Sequence, residues 1–282
     1  MRLASVTVDG VRRGGVVDGD SIALLTCTVD DVVRGAQVET REVLPLTEVR
    51  LESPLHRFNR DVLCTGWNYW DHFAESAGKR EGQDPVERPL RPTFFTKGPD
   101  TVIGPSDPIA YDPSLSQKWD YEAEIAMVIG RDGRSIPEEK ALDHVFGFLV
   151  ANDVSQRDLQ RAHGGQWLKG KSLDATMPLG PWVTTIDSVD VTDLRVQCEV
   201  NGVLLQDASS AQMAFSFARI IAELSHGMTL RAGDVILTGT PSGVGNAREP
   251  QLFLRAGDVV VTRVSGLGEL RNTVTPTDLG GR

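Results

Sequence analysis

Two glutamates, Glu122 and Glu124, stand in an apolar stretch, residues 120–130, that has the composition of a buried β-strand. Side chains of a strand repeat every two residues, so both carboxylates point to the same face, close together. Two like charges at this distance need a cation, and carboxylate oxygens favour a hard divalent ion such as Mg²⁺, Mn²⁺ or Ca²⁺. An edge strand with a solvated acidic face is the alternative that these residues leave open.

A third acid, Asp153, ends the next apolar strand, residues 146–154, and completes a candidate set of three carboxylate ligands. The chain between Glu124 and Asp153 is long enough for a strand, a crossover and a return to the same sheet. A lone aspartate at a strand end is also a common turn or cap residue. The metal prediction therefore depends on the two glutamates lying beside it.

Upstream, His72 and Glu75 are three residues apart in a polar and aromatic segment that can form a helix after Gly66. At that spacing the carboxylate can orient and charge the imidazole, which is the usual construction of a general base acting on water. A surface histidine near a surface glutamate is the alternative. The charged, proline-interrupted residues 76–92 follow, where a lid could lie.

Downstream segments supply hydrogen-bond donors. Arg157 and Gln160 share one face of a predicted helix and could bind a carboxylate or oxyanion, although Arg157 could also simply neutralise a neighbouring aspartate. Either Lys169 or Lys171 could supply a fixed positive charge for an anionic substrate. The glycine-rich loop 238–245 exposes N–H groups and hydroxyls that can hold an anion, but it lacks the Gly-Lys-Ser/Thr ending of a nucleotide P-loop.

The elements that must position these groups are mostly short strands with tight turns. Residues 1–57 predict a small N-terminal β domain, and residues 58–282 predict the catalytic domain. An Asn-Gly turn predicts a hairpin over residues 196–205. Apolar residues on one helical face predict a helix over residues 213–224 that packs on the sheet, and residues 137–145 predict a shorter one.

Composition restricts the class of protein. The chain has 282 residues, 40% of them hydrophobic and 24% charged, as in ordinary globular proteins. A net charge of −10 argues against nucleic acid and anionic membrane surfaces as partners. The three cysteines, Cys27, Cys64 and Cys198, form neither a disulfide framework nor a zinc-ligand spacing, which fits a cytoplasmic location. The N-terminus has no apolar run that predicts a signal peptide or a membrane span.

Taken together, these segments resemble the fumarylacetoacetate hydrolase family between about residues 63 and 275. The matching motifs occur in the family's order and are specific in combination. They are Asn68-Tyr69-x-x-His72-x-x-Glu75, Asp120-Tyr121-Glu122-x-Glu124 with Val128-Ile129-Gly130, Asn152-Asp153-Val154-Ser155-x-Arg157-Asp158-x-Gln160, Lys171 before Ser172, and Thr238-Gly239-Thr240-Pro241-x-Gly243-Val244-Gly245.

The resemblance implies a mainly β fold with a few helices, a mixed β-sandwich roll preceded here by the small N-terminal β unit, and usually a homodimer. It implies Mg²⁺ or Mn²⁺ on Glu122, Glu124 and Asp153, with Ca²⁺ as an occupant in a crystal. By the same likeness the catalytic residues are His72, Glu75 and Lys171, and the residues that contact substrate are Tyr69, Arg157, Gln160 and Thr240.

The function that this likeness implies is metal-dependent hydrolysis of a C–C bond in an acylpyruvate-type 2,4-dioxo acid, through an enolate that the ion stabilises. Water activated by His72 would attack the distal carbonyl. Two alternatives use the same enolate without the water: an oxaloacetate-type decarboxylase and a 2-hydroxy-diene-dioate isomerase of aromatic catabolism. A non-catalytic cation-binding protein is the alternative outside the enzymes. The partner in each enzymatic case is a small anionic 2-oxo or 2,4-dioxo acid.

The chain departs from the family pattern at three positions. Trp67 stands where a smaller apolar residue is usual, Trp70 adds a second indole, and Gln156 replaces a common alanine. These changes leave the predicted metal ligands and the His72–Glu75 pair intact. They leave open which group the pocket accepts at the far end of the substrate.

Overall fold

Short strands make up most of the chain, and a computed structural model describes residues 1–79 and 84–281. The first 57 residues contain β1 (Arg2–Val8), β2 (Val11–Asp18), β3 (Ser21–Leu25), helix α1 (Val29–Val33), β4 (Thr40–Pro45) and β5 (Arg50–Glu52). Asp9 and Gly10, both with positive φ, close the β1–β2 hairpin, as a two-residue hairpin loop requires. The short helix α1, capped by Thr28, is absent from the sequence-based prediction of strands alone.

The remaining strands and helices follow in chain order. They are β6 (Val62–Gly66), α2 (Trp70–Glu75), β7 (Thr93–Lys97), β8 (Val102–Ile103), β9 (Ile109–Tyr111), β10 (Trp119–Asp120), β11 (Ala123–Ile129), β12 (Gly133–Arg134), β13 (Val145–Asn152), β14 (Ser155–Gln156) and α3 (Arg157–Ala162). The last are β15 (Met177–Thr185), β16 (Arg195–Val200), β17 (Val203–Ser209), α4 (Phe217–Ser225), β18 (Thr229–Leu230), β19 (Val235–Leu237), β20 (Val259–Val264) and β21 (Gly268–Pro276).

One large sheet contains β11 and β13, the two strands nearest to the predicted metal ligands. Its order is β4-β3-β2-β1-β15-β13-β11-β19-β6-β7, with β5 added beside β1 and β8 beside β15. Strand β11 is antiparallel to both β13 and β19, and every residue of β11 is buried. The alternative of an edge strand with a solvated acidic face is therefore wrong. Strands β11 and β13 lie in the same sheet as predicted, but they are adjacent and antiparallel, so the predicted crossover is not needed.

A five-stranded sheet, β17-β16-β20-β21-β9, packs against one face of the large sheet. Alternate residues of β11, such as Ile125 and Met127, join side chains of this second sheet and of α4 in the main core. The intervening residues, such as Ala126 and Val128, join a second core with α1 on the opposite face. A central strand buried on both faces needs apolar residues almost throughout, so Glu124 stands near its beginning and Glu122 directly precedes it.

Some predicted helices and hairpins form as expected, and others differ in their bounds or type. The Asn-Gly turn does close the hairpin of β16 and β17, with Asn201 and Gly202 both at positive φ. Helix α4 starts only at Phe217, because Ser216 caps it, so Met213 lies outside the helix. Residues Glu138–His144 form a 3₁₀ helix rather than an α-helix.

Residues 1–57 share the large sheet with the rest of the chain, because β1 pairs with β15. The division into two domains near residue 57 stays a prediction. Residues 80–83 of the predicted lid lie outside the described residues. Within 1–79 and 84–281, no helix is long and apolar enough to cross a membrane. The cytoplasmic location stays a prediction.

The cysteines yield a direct test of this packing. All three are free thiols, and Cys64 and Cys198 are buried. Burial raises the pKa of each of these two thiols, so neither forms the reactive thiolate readily. We expect a thiol reagent at pH 8 to modify at most Cys27 in the native protein and all three after denaturation. Fast modification of two or more thiols in the native protein would contradict this packing.

Candidate functional site

The three acids predicted as metal ligands converge at one end of the strand pair β11–β13. Ala123 lies opposite Asn152 in this pair, and the Asp153 amide donates to the Glu122 carbonyl at 2.8 Å. Glu122, Glu124 and Asp153 are all buried, and each has a carboxylate oxygen within 4.8 Å of those of the other two. Asp153 therefore lies in an acidic cluster with the two glutamates, as the metal-ligand prediction requires.

Buried cations surround these carboxylates. Lys171 Nζ lies 2.7 Å from both Glu122 Oε2 and Asp153 Oδ2, whereas Lys169 is exposed. Lys97 Nζ, with a side chain fully buried at the end of β7, lies 2.7 Å from Asp153 Oδ1 and donates to the Val154 carbonyl. Lys97 was not among the residues predicted from the sequence. Its signal was a lysine closing an otherwise apolar and threonine-rich strand just before Gly98.

The local field separates the two glutamates. Burial alone raises the pKa of Glu122, but the Lys171 and Arg157 charges outweigh it and hold that pKa well below its ordinary value. For Glu124, burial and then the Asp153 and Glu122 charges all raise the pKa. Within the described residues Glu124 forms no ion pair. Glu124 is therefore the acid of the set whose charged form the protein by itself stabilises least.

The donor set fits a hard divalent cation. The three converging side chains offer only carboxylate oxygens, without sulfur or imidazole, which is the chemistry that Mg²⁺ and Mn²⁺ prefer. An ion bound there would also compensate the charge repulsion at Glu124. Glu122, Glu124 and Asp153 are thus the residues that would hold it, and the geometry leaves the choice between Mg²⁺, Mn²⁺ and Ca²⁺ open.

The His72–Glu75 pair forms on α2 as its spacing predicts. His72 Nδ1 lies 2.8 Å from Glu75 Oε1, and the Gly243 amide donates to Glu75 Oε2 at 2.7 Å. A carboxylate on Nδ1 favours the tautomer with a proton there, so Nε2 keeps its lone pair. His72 is buried and lines the same cavity as Glu122 and Glu124. The surface-pair alternative is therefore wrong.

The glycine-rich loop binds the protein's own acids. Its amides at Gly239 and Gly245 donate to Glu124 Oε2 and Asp120 Oδ1, each at 2.7 Å, in addition to the bond from Gly243 to Glu75. These N–H groups were predicted to bind an anionic ligand. The loop therefore fixes the carboxylates of the site instead of offering these amides to a ligand.

Arg157 and Gln160 lie together on α3 and line the cavity. Arg157 donates from Nε to Asp120 at 2.8 Å, and its Nη1 lies 2.6 Å from Glu122 Oε1. It therefore neutralises these two acids and neither Asp153 nor Asp158. Its Nη2 is buried and has no hydrogen-bond partner among residues 1–79 and 84–281.

The other two predicted substrate contacts differ in position. Thr240 lines the cavity, but its hydroxyl already donates to the Ala123 carbonyl at 2.9 Å and accepts from Gln206 at 2.8 Å. Tyr69 is buried, and burial followed by the Glu124 charge raises its pKa. It lies outside the group of side chains that line the cavity. Both substrate contacts stay predictions.

Aromatic side chains line another part of the same cavity, and their contacts with one another were not predicted from the sequence. Trp67 stacks on His72 with ring centroids 5.3 Å apart, and its edge meets Trp167 at 5.8 Å. Phe95 packs on Trp167 at 5.1 Å. The residues lining the cavity are Thr65, Gly66, Trp67, His72, Phe95, Glu122, Glu124, Arg157, Gln160, Trp167, Lys171 and Thr240.

Gly243→Ala tests whether the loop holds the His72–Glu75 pair. Gly243 has φ +106°, and an added Cβ would lie 2.0 Å from the Leu205 carbonyl oxygen. We expect the loop to shift, the hydrogen bond to Glu75 to lengthen, and kcat to fall about 10-fold or more. Gly202→Ala, also at positive φ but with open space around its Cβ, is the control. Equal kcat in both variants would remove this role from Gly243.

Comparison with known proteins agrees with the fold. Residues 61–275 match the family model described as Fumarylacetoacetate (FAA) hydrolase C-terminal, and residues 1–54 match the one described as Rv2993c-like, N-terminal. The chain is 42% identical over 230 residues to oxaloacetate tautomerase YisK of Bacillus subtilis (strain 168), an alignment covering 81% of this chain and 74% of that protein.

Two solved structures show the same fold over nearly the whole chain. The fumarylacetoacetate hydrolase EaFAH from Exiguobacterium antarcticum has a TM-score of 0.87 at 38% identity, covering 98% of this chain and 100% of that one. The 2-hydroxyhepta-2,4-diene-1,7-dioate isomerase from Mycobacterium marinum has a TM-score of 0.82 at 30% identity, covering 99% of each. The chain belongs to the fumarylacetoacetate hydrolase family, and the predicted fold class is confirmed.

Proposed function

We propose that this protein is a divalent-metal-dependent enzyme that interconverts the keto and enol forms of an oxaloacetate-type 2-oxo acid. The observation that carries the proposal is one cavity in which His72 and two carboxylates of the acidic cluster, Glu122 and Glu124, line the same space as the buried cations Arg157 and Lys171. The likeness to an oxaloacetate tautomerase supports it. The proposed reaction uses the same substrate and enolate as the oxaloacetate-type decarboxylase predicted as an alternative. We favour it over acylpyruvate hydrolysis.

Positively charged side chains would bind the 2-oxo acid end of the substrate. The unpartnered Nη2 of Arg157 is a donor for the substrate carboxylate, and Gln160 lies 3.3 Å from Nη1 of the same guanidinium. Lys171 supplies a fixed positive charge where negative charge develops on the enolate oxygen. A bound divalent ion would supply further positive charge that polarises the 2-oxo group.

His72 would move the proton. Glu75 accepts from Nδ1 and so keeps Nε2 available to take a proton from C3 of the keto form or to return one to the enol. The Gly243 amide holds Glu75 and thereby fixes the orientation of the imidazole. Stacking on Trp67 covers one face of the ring and limits the access of water to the proton being transferred.

Hydrolysis of an acylpyruvate is the second candidate. The observation that favours it is the intact His72–Glu75 pair at 2.8 Å, which is equally able to activate water. The likeness to an oxaloacetate tautomerase favours the first candidate. Diene-dioate isomerisation shifts a proton along an enol, so the same residues would serve it.

The deciding experiment assays three substrates in Mg²⁺ or Mn²⁺: oxaloacetate, an acylpyruvate and a 2-hydroxy-diene dioate. Metal without protein and protein with EDTA are the controls. Loss of enol absorbance without pyruvate release measures tautomerisation of oxaloacetate. Pyruvate release measures decarboxylation when the substrate is oxaloacetate and C–C bond cleavage when it is an acylpyruvate. We expect enol loss from oxaloacetate to be the fastest metal-dependent reaction. Faster cleavage of an acylpyruvate would restore the hydrolase reading. No metal-dependent rate with any of the three would return us to a cation-binding protein.

The partner is accordingly a small anionic 2-oxo acid. Cytoplasmic location and a homodimer stay predictions.

A further inference from the structure

Two polar atoms at the aromatic side of the cavity have no hydrogen-bond partner. Thr65 Oγ1 and Trp67 Nε1 are buried, and neither is paired within residues 1–79 and 84–281. Thr65 is 1% exposed and Trp67 is 9% exposed, and both side chains line the cavity. Buried donors in folded proteins are nearly always satisfied, so this pair needs an explanation.

The two donors belong to the aromatic part of the cavity lining. Trp67 stacks on His72 and contacts Trp167, whereas Arg157 and Lys171 surround Glu122. Thr65 and Trp67 flank Gly66, where an added Cβ would come within 2.7 Å of the Trp167 ring. Close packing over Gly66 therefore holds this wall in a fixed arrangement.

The backbone at Trp67 adds a second, independent observation. Its φ is +57°, in the left-handed region that a residue with a bulky side chain rarely adopts. Such strain persists where surrounding structure imposes it, and it is concentrated at functional sites. Here it accompanies the placement of the indole against the imidazole of His72.

We propose that Thr65 Oγ1 and Trp67 Nε1 form a subsite for a carboxylate at the end of the substrate remote from its 2-oxo acid group. A carboxylate has two oxygens and can accept from both donors, whereas a methyl group would leave both unsatisfied. The subsite thus selects a 2-oxo dicarboxylate over a 2-oxo monocarboxylate. It rests on the proposed function for the orientation of the substrate.

A matched pair of stable ligands tests the subsite without turnover. Malate carries a distal carboxylate, and 2-hydroxybutanoate has the same length with a methyl group in its place. Calorimetric titration of the protein in Mg²⁺ gives the Kd of each. We expect wild-type protein to bind malate at least about 10-fold more tightly, because only malate satisfies the two buried donors.

Two variants each remove one donor. Trp67→Phe retains an aromatic ring beside His72 but loses the N–H, and Thr65→Val loses the hydroxyl. We expect each to raise the Kd of malate about 10-fold and that of 2-hydroxybutanoate less than about 3-fold. Trp182→Phe is the control, since Trp182 Nε1 is also buried and unpaired in the described chain but lies outside this cavity.

The outcomes separate this subsite from the proposed reaction. A preference for malate that falls in both variants and persists in Trp182→Phe supports the subsite, even if oxaloacetate is not tautomerised. Tautomerase activity with an unchanged ligand preference in both variants would overturn the subsite alone and would indicate that the donors hold only a water. Two donors on different residues keep the test decisive if one variant fails to fold.

Discussion

Asp153→Asn is expected to abolish metal-dependent activity and to lower the free energy of unfolding of the metal-free protein by about 3–5 kcal/mol. Asp153 is fully buried, and its oxygens lie 2.7 Å from the ammonium groups of Lys97 and Lys171. Removal of the negative charge leaves Lys97 buried without its carboxylate partner. The same change removes one of three candidate oxygen ligands. Urea unfolding and calorimetric titration with Mn²⁺ measure the two effects separately.

Glu124→Gln is the matched control, because it removes one negative charge from the same cluster. Glu124 accepts from the Gly239 amide at 2.7 Å, and it forms no ion pair in the described part of the chain. We therefore expect this variant to bind Mn²⁺ weakly while its metal-free stability stays equal or rises, since like-charge repulsion is relieved. Equal destabilisation by both substitutions would show that the lysine pairs of Asp153 are not what matters.

His72→Ala is expected to lower kcat for oxaloacetate tautomerisation by about 10²–10⁴-fold with little change in metal affinity. The imidazole lines the cavity, and its Nε2 keeps a lone pair because Nδ1 is bonded to Glu75 at 2.8 Å. Cleavage of acylpyruvates should fall equally, because water activation needs the same base. Decarboxylation of oxaloacetate needs enolate stabilisation but no base, so it should be largely retained.

Two further measurements interpret that result. Glu75→Gln keeps a hydrogen-bond acceptor on His72 Nδ1 but removes the negative charge, so we expect a smaller loss in kcat than in His72→Ala. Calorimetric titration of His72→Ala with Mn²⁺ and malate checks that the binding site is intact. Retention of tautomerase activity by His72→Ala, with binding intact, would assign the proton transfer to another group.

Much of the site could be predicted because it depends on local periodicity. The two-residue repeat predicted Glu122 and Glu124 on one face of a strand. Strand β11 begins only at Ala123, so Glu122 directly precedes it, yet the two carboxylates still lie close together. The three-residue spacing of His72 and Glu75 brings them together on any helix, and α2 forms there. The edge-strand alternative could not be excluded in this way, because only the sheet order decides whether a strand has neighbours on both sides.

Other parts of the site depend on contacts between segments far apart in the chain. Gly243 bonds to Glu75 across 168 residues, and Lys97 meets Val154 across 57. No local pattern marks such partners. The loop 238–245 shows the consequence: its glycines indicated free amides for an anion, but the fold brings the protein's own carboxylates against them.

The sequence by itself determined which residue types could hold a hard cation and which pair could act as a base, because short-range geometry is fixed by strand and helix repeats. Only the tertiary structure decided which charges neutralise which, since β7, α3 and the glycine-rich loop meet β11 through the order of strands and packing. It likewise decided that Trp67, read from the sequence only as a bulky departure, turns into the cavity wall beside Thr65. The far end of the substrate depends on that wall.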